Sequence, residues 1–141
     1  MKSEIITIGD EILIGQIIDT NSAWMAQRLN EIGVDVVQIT SISDTPEAIN
    51  YALDEARTRA QLILITGGLG PTNDDLTKLT LGKYFERPDL FRKEVFEDIA
   101  KLFRAKGREI TELNRQQAQV PEAAKVIRNA EGTAPGMWFD R

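Results

Sequence analysis

Short β-branched runs alternate with helical stretches along the first half of the chain, and that alternation narrows the possible architectures more than any other feature. Ile5–Ile8 reads as a buried first strand closed by Gly9-Asp10. From Asn21 to Gly33, Met25, Leu29 and Ile32 follow helical spacing, and Gly33 suits a C-cap. Val34–Ile42 is predicted as the second strand. Asp44-Thr45-Pro46-Glu47 then has the form of a capping box, with Asp44 as N-cap, Glu47 three positions on and Pro just inside the helix. Ile49, Ala52, Leu53 and Ala56 make one face of that helix, which ends near Ala60. Leu62–Ile65 is wholly apolar, as expected of a strand buried on both faces of a parallel sheet.

The spacing next predicts a helix from about Asp75 to Phe85. A second follows Arg87-Pro88, with Leu90, Val95, Ile99, Leu102 and Phe103 on its apolar side and Gly107 ending it. Residues 111–119 read as helical, and Lys125–Arg128 and Met137–Phe139 as short strands. Strands joined by crossovers of this length imply right-handed βαβ units and a mainly parallel sheet. At 141 residues with no dividing linker, residues 1–141 are expected to form a single domain.

The composition removes several chemistries. There is no Cys and no His, so thiol nucleophiles, thiolate zinc sites, Ser-His-Asp triads and imidazole bases are excluded. Carboxylates, Lys and Arg, hydroxyls, backbone amides and a hard cation remain. The formal charge, 17 Lys+Arg against 22 Asp+Glu for a net −5, argues against a nucleic-acid surface. It leaves room for a small phosphorylated ligand held by backbone donors. The first apolar run is far too short for a signal-peptide core or a membrane span, so a cytoplasmic location is expected, with no membrane partner.

In parallel sheets ligands sit at the carboxyl ends of the strands, and three segments fall there: Gly9-Asp10-Glu11, Ser43-Asp44 and Thr66 to Asp75. Gly67, Gly68 and Gly70 directly follow a strand and precede a helix, a setting in which backbone amides and a helix N-terminus cradle an anion. The same glycines would also suit a turn that only needs their backbone freedom. The loop is neither a dinucleotide fingerprint nor a Walker A sequence. Asp74 and Asp75 close it, either holding a divalent cation such as Mg²⁺ against a phosphate or capping the next helix. Asp44 serves equally as N-cap or site carboxylate. Asp10 and Glu11 are a site pair or a solvated loop pair.

Farther on, Asn114, Gln116 and Gln117 could read a sugar or base edge and Arg115 could meet a phosphate, unless the segment is simply a polar surface helix. Lys78 is a second cation within conceivable reach. Gly132-Thr133-Ala134-Pro135-Gly136 is a second glycine-containing loop, a clamp or a tight turn.

Together these segments resemble a known family. Gly-Asp-Glu-Ile-Leu-Ile-Gly at 9–15, Asp19-Thr20-Asn21, Ser43-Asp44-Thr45 and the run from Thr66 to Thr77 look like the molybdopterin-binding domain. The version is that at the N-terminus of CinA-type competence/damage-inducible proteins, related in fold to MoaB and MogA. Asn114-Arg-Gln-Gln-Ala118, Val120-Pro121, Asn129 and Gly132 to Trp138 are similar to the later motifs of that type, so the resemblance covers nearly the whole chain. It implies a three-layer αβα sandwich with a mainly parallel sheet. For the CinA type it implies a pyrophosphatase that uses Mg²⁺ or Co²⁺ and splits ADP-ribose-like nucleotides into AMP and a sugar phosphate. The alternatives are a non-catalytic nucleotide- or molybdopterin-binding module and a molybdopterin adenylyl-transfer enzyme.

On that resemblance Asp75 and Asp44 are the catalytic carboxylates, and Asp74, Asp75 and Asp10 are the metal candidates. Gly67, Gly68, Gly70, Thr72, Asn114, Arg115, Gly132 and Thr133 are the substrate-binding candidates. Leu69 stands where molybdopterin enzymes often carry Thr, which favours the CinA type and argues against molybdopterin itself. The family implies a dimer or trimer. It also implies a further strand, a Pro-Gly-x-Pro loop and a deamidase domain after the point where this sequence stops. The domain is therefore expected to be incomplete at its C-terminal end, without deamidase activity and with an unpaired sheet edge.

Overall fold

The structure is a computed structural model that describes residues 1–70 and 76–140. The chain divides into two compact units, Met1–Gly68 and Leu69–Arg141.

The first unit is an α/β layer structure. Strand β1 (Lys2–Ile8) leads into a single turn of helix, α1 (Asp10–Leu13), then α2 (Thr20–Glu31), β2 (Asp35–Ile42), α3 (Pro46–Arg57) and β3 (Leu62–Thr66). The strands form one parallel sheet in the order β2-β1-β3. Ile5 lies level with Ile39 on one side and Leu64 on the other. Between Ser3–Val36 and Glu4–Gln38 the register shifts, leaving Val37 as an extra residue in β2.

One face of the sheet is closed by α2, where Leu29, Met25 and Ala26 pack with Ile5, Val34, Val36, Leu62 and Leu64. The buried stripe Ile49, Ala52, Leu53 and Ala56 of α3 packs on the sheet as well. Arg59, just beyond α3, reaches Glu4, whose side chain alternates with that of Ile5 and so lies on the opposite face.

β1 is buried along nearly its whole length, polar residues included, and each of those residues ties the strand to another element. Ser3 Oγ donates to the Asp35 carbonyl at 3.2 Å. The Glu4 carboxylate, 1 % exposed, accepts from Arg59 Nε at 2.9 Å, from Arg59 Nη2 at 3.0 Å and from Thr40 Oγ1 at 3.0 Å. Thr7 Oγ1 donates to Asp19 Oδ2 at 2.7 Å.

β3 departs from expectation. Its residues are half-buried, because β1 takes the centre of the sheet and β3 is an edge strand of it. The helix after β2 also begins one residue later than the capping-box reading has it. The N-cap is Thr45, whose Oγ1 accepts from Ala48 N at 3.3 Å, so Pro46 is the first helical residue and Glu47 the second.

The second unit contains α4 (Thr77–Tyr84), β4 (Asp89–Phe91), α5 (Lys93–Ala105), α6 (Glu112–Gln116), β5 (Gln119–Pro121), β6 (Ala124–Ile127) and β7 (Gly136–Phe139). β4 pairs antiparallel with β5, and β6 with β7. Val95 and Ile99 of α5 form a core with Ala118, Phe96, Phe103 and Val126. Phe85 stacks on Phe139 with centroids 4.3 Å apart.

α4 begins at Thr77 after Leu76, close to the expected start around Asp75. Two boundaries differ from the sequence reading. Leu90 belongs to a strand, and α5 starts only at Lys93, because residues 89–91 satisfy their backbone groups against 119–121. The helix expected over 111–119 stops at Gln116 for the same reason, since Gln119 is already paired with Phe91.

Candidate functional site

Within the first unit the carboxyl ends of β1, β2 and β3 lie side by side and carry Gly9-Asp10, Ser43-Asp44 and Gly67-Gly68. Backbone contacts hold the three ends together: Gly9 N donates to the Ile42 carbonyl at 3.1 Å. Gly67 passes so close to the end of β1 that a Cβ there would sit 1.9 Å from the Ile8 carbonyl oxygen. Gly67 and Gly68 both take positive φ, 101° and 62°. Two successive residues of this kind turn the chain back over the strand ends, a conformation side-chain-bearing residues resist.

Asp44 is half-buried at the end of β2 and takes no part in capping α3, since that work falls to Thr45, whose hydroxyl also lies 3.3 Å from Ser43 Oγ. Asp10 is the exposed first residue of α1. The Glu11 carboxylate folds over Gly9, where a Cβ would lie 2.6 Å from its Oε1.

Asp19 is the carboxylate that residue-by-residue reading passed over. It caps α2 by accepting from Ser22 N at 3.0 Å and also accepts the Thr7 hydroxyl from the end of β1. Burial alone would raise its carboxyl pKa. The hydrogen bonds from Ser22, Thr7 and Asn21 outweigh that and hold it below the ordinary aspartate value. The available signal was Asp19 followed three residues later by Ser22 at a helix start.

The candidates of the second unit are mostly committed to its own structure. Asn114 is buried in a capping box: its Oδ1 accepts from Thr111 N at 3.1 Å, and its own backbone N–H donates to Thr111 Oγ1 at 3.3 Å. The Arg115 guanidinium lies over Phe91 and Phe96, 5.3 and 5.4 Å from the ring centroids. Lys78 Nζ donates to the Gln116 carbonyl, the last of α6, at 3.0 Å. Burial pushes the Lys78 amine below the usual lysine value, against an opposing pull from Asp89.

Gly132 N donates to Asn129 Oδ1 at 3.1 Å, and Asn129 Nδ2 donates to the Ala134 carbonyl at 2.9 Å, so this loop is braced from within. Thr133 lines a shallow depression, with room for little more than a water molecule (about 10 Å³), beside the Asp98–Arg128 ion pair. Gly70 is exposed, and Thr72, Asp74 and Asp75 lie outside the described residues. Among the described residues no three acidic side chains group so as to hold a metal ion, and no helix is long and apolar enough to cross a membrane.

Comparison with known proteins accords with this layout. The family described as "Probable molybdopterin binding domain" matches residues 4–141. A CinA-like protein of Cytophaga hutchinsonii is 46 % identical over 138 residues, 98 % of this chain and 33 % of the relative. One from Flavobacterium psychrophilum is 44 % identical over 142 residues, 100 % of this chain and 34 % of the relative. The chain thus spans about a third of the length of the curated relatives it matches.

Among solved structures, the protein CinA from Thermoplasma acidophilum, described as of unknown function, superposes with a TM-score of 0.84 at 30 % identity, over 96 % of this chain and 79 % of that one. The tungsten cofactor synthesizing protein MoaB from Pyrococcus furiosus shares the fold, with a TM-score of 0.58 at 24 % identity over 92 % of this chain and 75 % of that one. With its parallel βαβ core, its glycine turn at the strand ends and this match along almost its whole length, the chain belongs to the molybdopterin-binding domain family, as an N-terminal domain of the CinA type.

Proposed function

We propose that the carboxyl ends of β1, β2 and β3 bind a nucleotide phosphate and that the chain, with a divalent cation, hydrolyses the pyrophosphate of ADP-ribose-type substrates. The observation that carries this reading is the convergence of the Gly67-Gly68 turn with Asp44, a carboxylate its helix does not need. In the reaction, a water oxygen attacks one phosphorus and its proton passes to the Asp44 carboxylate. The bond to the bridging oxygen breaks, and AMP and a sugar phosphate leave. A carboxylate takes the base role because the chain has no His. Asp10 and Asp44 do not by themselves make a cation site, so the metal requirement, Mg²⁺ or Co²⁺, rests on Asp74 and Asp75. We place this enzyme in the cytoplasm as a dimer or trimer.

A second reading is a module that holds a nucleotide or pterin phosphate without chemistry. It is favoured by the family's own description as molybdopterin-binding. Release of AMP from ADP-ribose, measured with Mg²⁺, Co²⁺ or a chelator, separates the two. The first reading expects metal-dependent AMP, reduced by about 100-fold or more in Asp75→Asn and Asp44→Asn. No AMP, with ADP-ribose binding retained in calorimetry, selects the module. Adenylyl transfer from ATP to molybdopterin would replace both readings.

A further inference from the structure

The segment between α1 and α2 is fixed in place, yet it presents its apolar side chains to solvent. α1 ends in a Schellman motif: Gly15, φ 75°, donates its N–H to the Ile12 carbonyl at 3.1 Å, and Gln16 N donates to the Glu11 carbonyl at 2.9 Å. Ile17 N shares the Glu11 carbonyl at 3.2 Å, and Thr20 N donates to that of Ile18 at 2.9 Å. The far end is locked to the sheet, because Asp19 accepts the Thr7 hydroxyl from the end of β1. Between these ties Leu13, Ile14, Ile17 and Ile18 are 50, 68, 56 and 83 % exposed.

Single exposed aliphatic residues are ordinary on a protein surface. Four of them within six positions of a braced segment are a patch, of the kind that marks a ligand groove or an interface. Its place in the fold favours a ligand. The segment springs from Gly9-Asp10 at the carboxyl end of β1, and α1 packs against β2, the strand that leads into Asp44. The four residues of α1 rise only about 6 Å, so Ile14 begins within a nucleotide's length of the strand ends.

The groups assigned to the strand ends, Asp44 and the Gly67-Gly68 turn, offer no apolar surface to a heterocyclic ring, whereas small-molecule sites are mostly apolar with a few placed polar groups. We infer that Leu13, Ile14, Ile17 and Ile18 form the surface on which the nucleobase of a bound nucleotide rests while its phosphate lies at the strand ends. The inference rests on the phosphate reading of those ends. A ring covering the patch removes apolar surface of both partners from water, and because the segment is already braced, no loop has to be ordered for the ring to bind.

The test is calorimetry on the 141-residue chain with Mg²⁺ present, comparing AMP with ribose 5-phosphate, which has the sugar and phosphate but no base. AMP should bind about tenfold more tightly or better. Ile14→Ser/Ile18→Ser should bring AMP down to the level of ribose 5-phosphate and leave ribose 5-phosphate itself unchanged. If the double variant unfolds early in urea, Ile18→Ser alone, at the most exposed position, carries the test with a smaller loss. Equal affinities of the parent for the two ligands, or a variant that keeps the preference for AMP, would overturn the inference and leave the phosphate reading standing. Binding of neither ligand would remove the phosphate reading and this inference with it. Light scattering covers the other occupant: a parent oligomer that the double variant dissociates, with the preference for AMP intact, assigns the patch to a second copy of the chain.

Discussion

Asp44 and Thr45 are adjacent, and both are residue types that cap helices, yet they divide the work. The Thr45 hydroxyl accepts the Ala48 N–H, which leaves the neighbouring carboxylate at the strand ends with no structural duty in α3. Thr45→Ala should therefore cost about 1 kcal/mol in urea unfolding. Asp44→Ala should stay within about 0.5 kcal/mol of the parent while removing AMP release. If Asp44→Ala destabilised as much as Thr45→Ala, its assignment to the site would lose its structural basis.

Asp19 gives a pH-dependent counterpart. Its carboxyl is held below the ordinary value in the folded chain, so the unfolded chain binds that proton more readily. The contribution is fully present above the unfolded value of about 3.9 and fades as pH falls through the folded value. Asp19→Asn keeps a good N-cap but removes the charge. Urea unfolding between pH 7 and pH 2.5 should show a shallower loss of stability in the variant below about pH 4. Identical acid limbs would mean that Asp19 carries no such linkage.

At the scale of elements, glycines with positive φ are not equivalent. At Gly33, φ 74°, an added methyl would meet nothing within 4 Å, so Gly33→Ala bears only the left-handed backbone penalty, roughly 1 kcal/mol. Gly67→Ala must in addition displace the Ile8 carbonyl from 1.9 Å. It should destabilise clearly more than Gly33→Ala and disturb the strand ends; equal losses would show that the β1–β3 approach is loose.

The elements that sequence periodicity located well are those whose packing is local. The stripe Ile49, Ala52, Leu53 and Ala56 is the buried face of α3, and β1, β2 and β3 lie close to their expected positions. The misreadings share one cause. Leu90 is counted with the apolar side of the following helix although it lies five residues before Val95, and residues 89–91 are extended because residues 119–121 complete their hydrogen bonds. Leu62–Ile65 is more apolar than β1, yet β1, with Ser3, Glu4 and Thr7, lies at the centre of the sheet. Strand order depends on what partners a strand, not on its own apolarity.

At the scale of the whole molecule, charge speaks where motifs do not. A net charge of −5 opposes the approach of a polyanion such as DNA. Fluorescence anisotropy with duplex DNA at about 150 mM salt should therefore show no binding, and a salt-dependent association would contradict that expectation. The sequence by itself determined the alternation of strands and helices, the placing of three glycine- and aspartate-bearing segments at strand ends, and a chemistry confined to carboxylates, cations and amides. Those follow from residue type and local spacing, which a single chain displays openly. Only the tertiary structure decided that β1 is central, that Thr45 rather than Asp44 caps α3, that Asp19 joins α2 to β1, and that Asn114, Arg115 and Gly132 serve their own unit. Each of these depends on which distant backbone or side-chain group satisfies a hydrogen bond or covers an apolar face, and no local pattern specifies that partner.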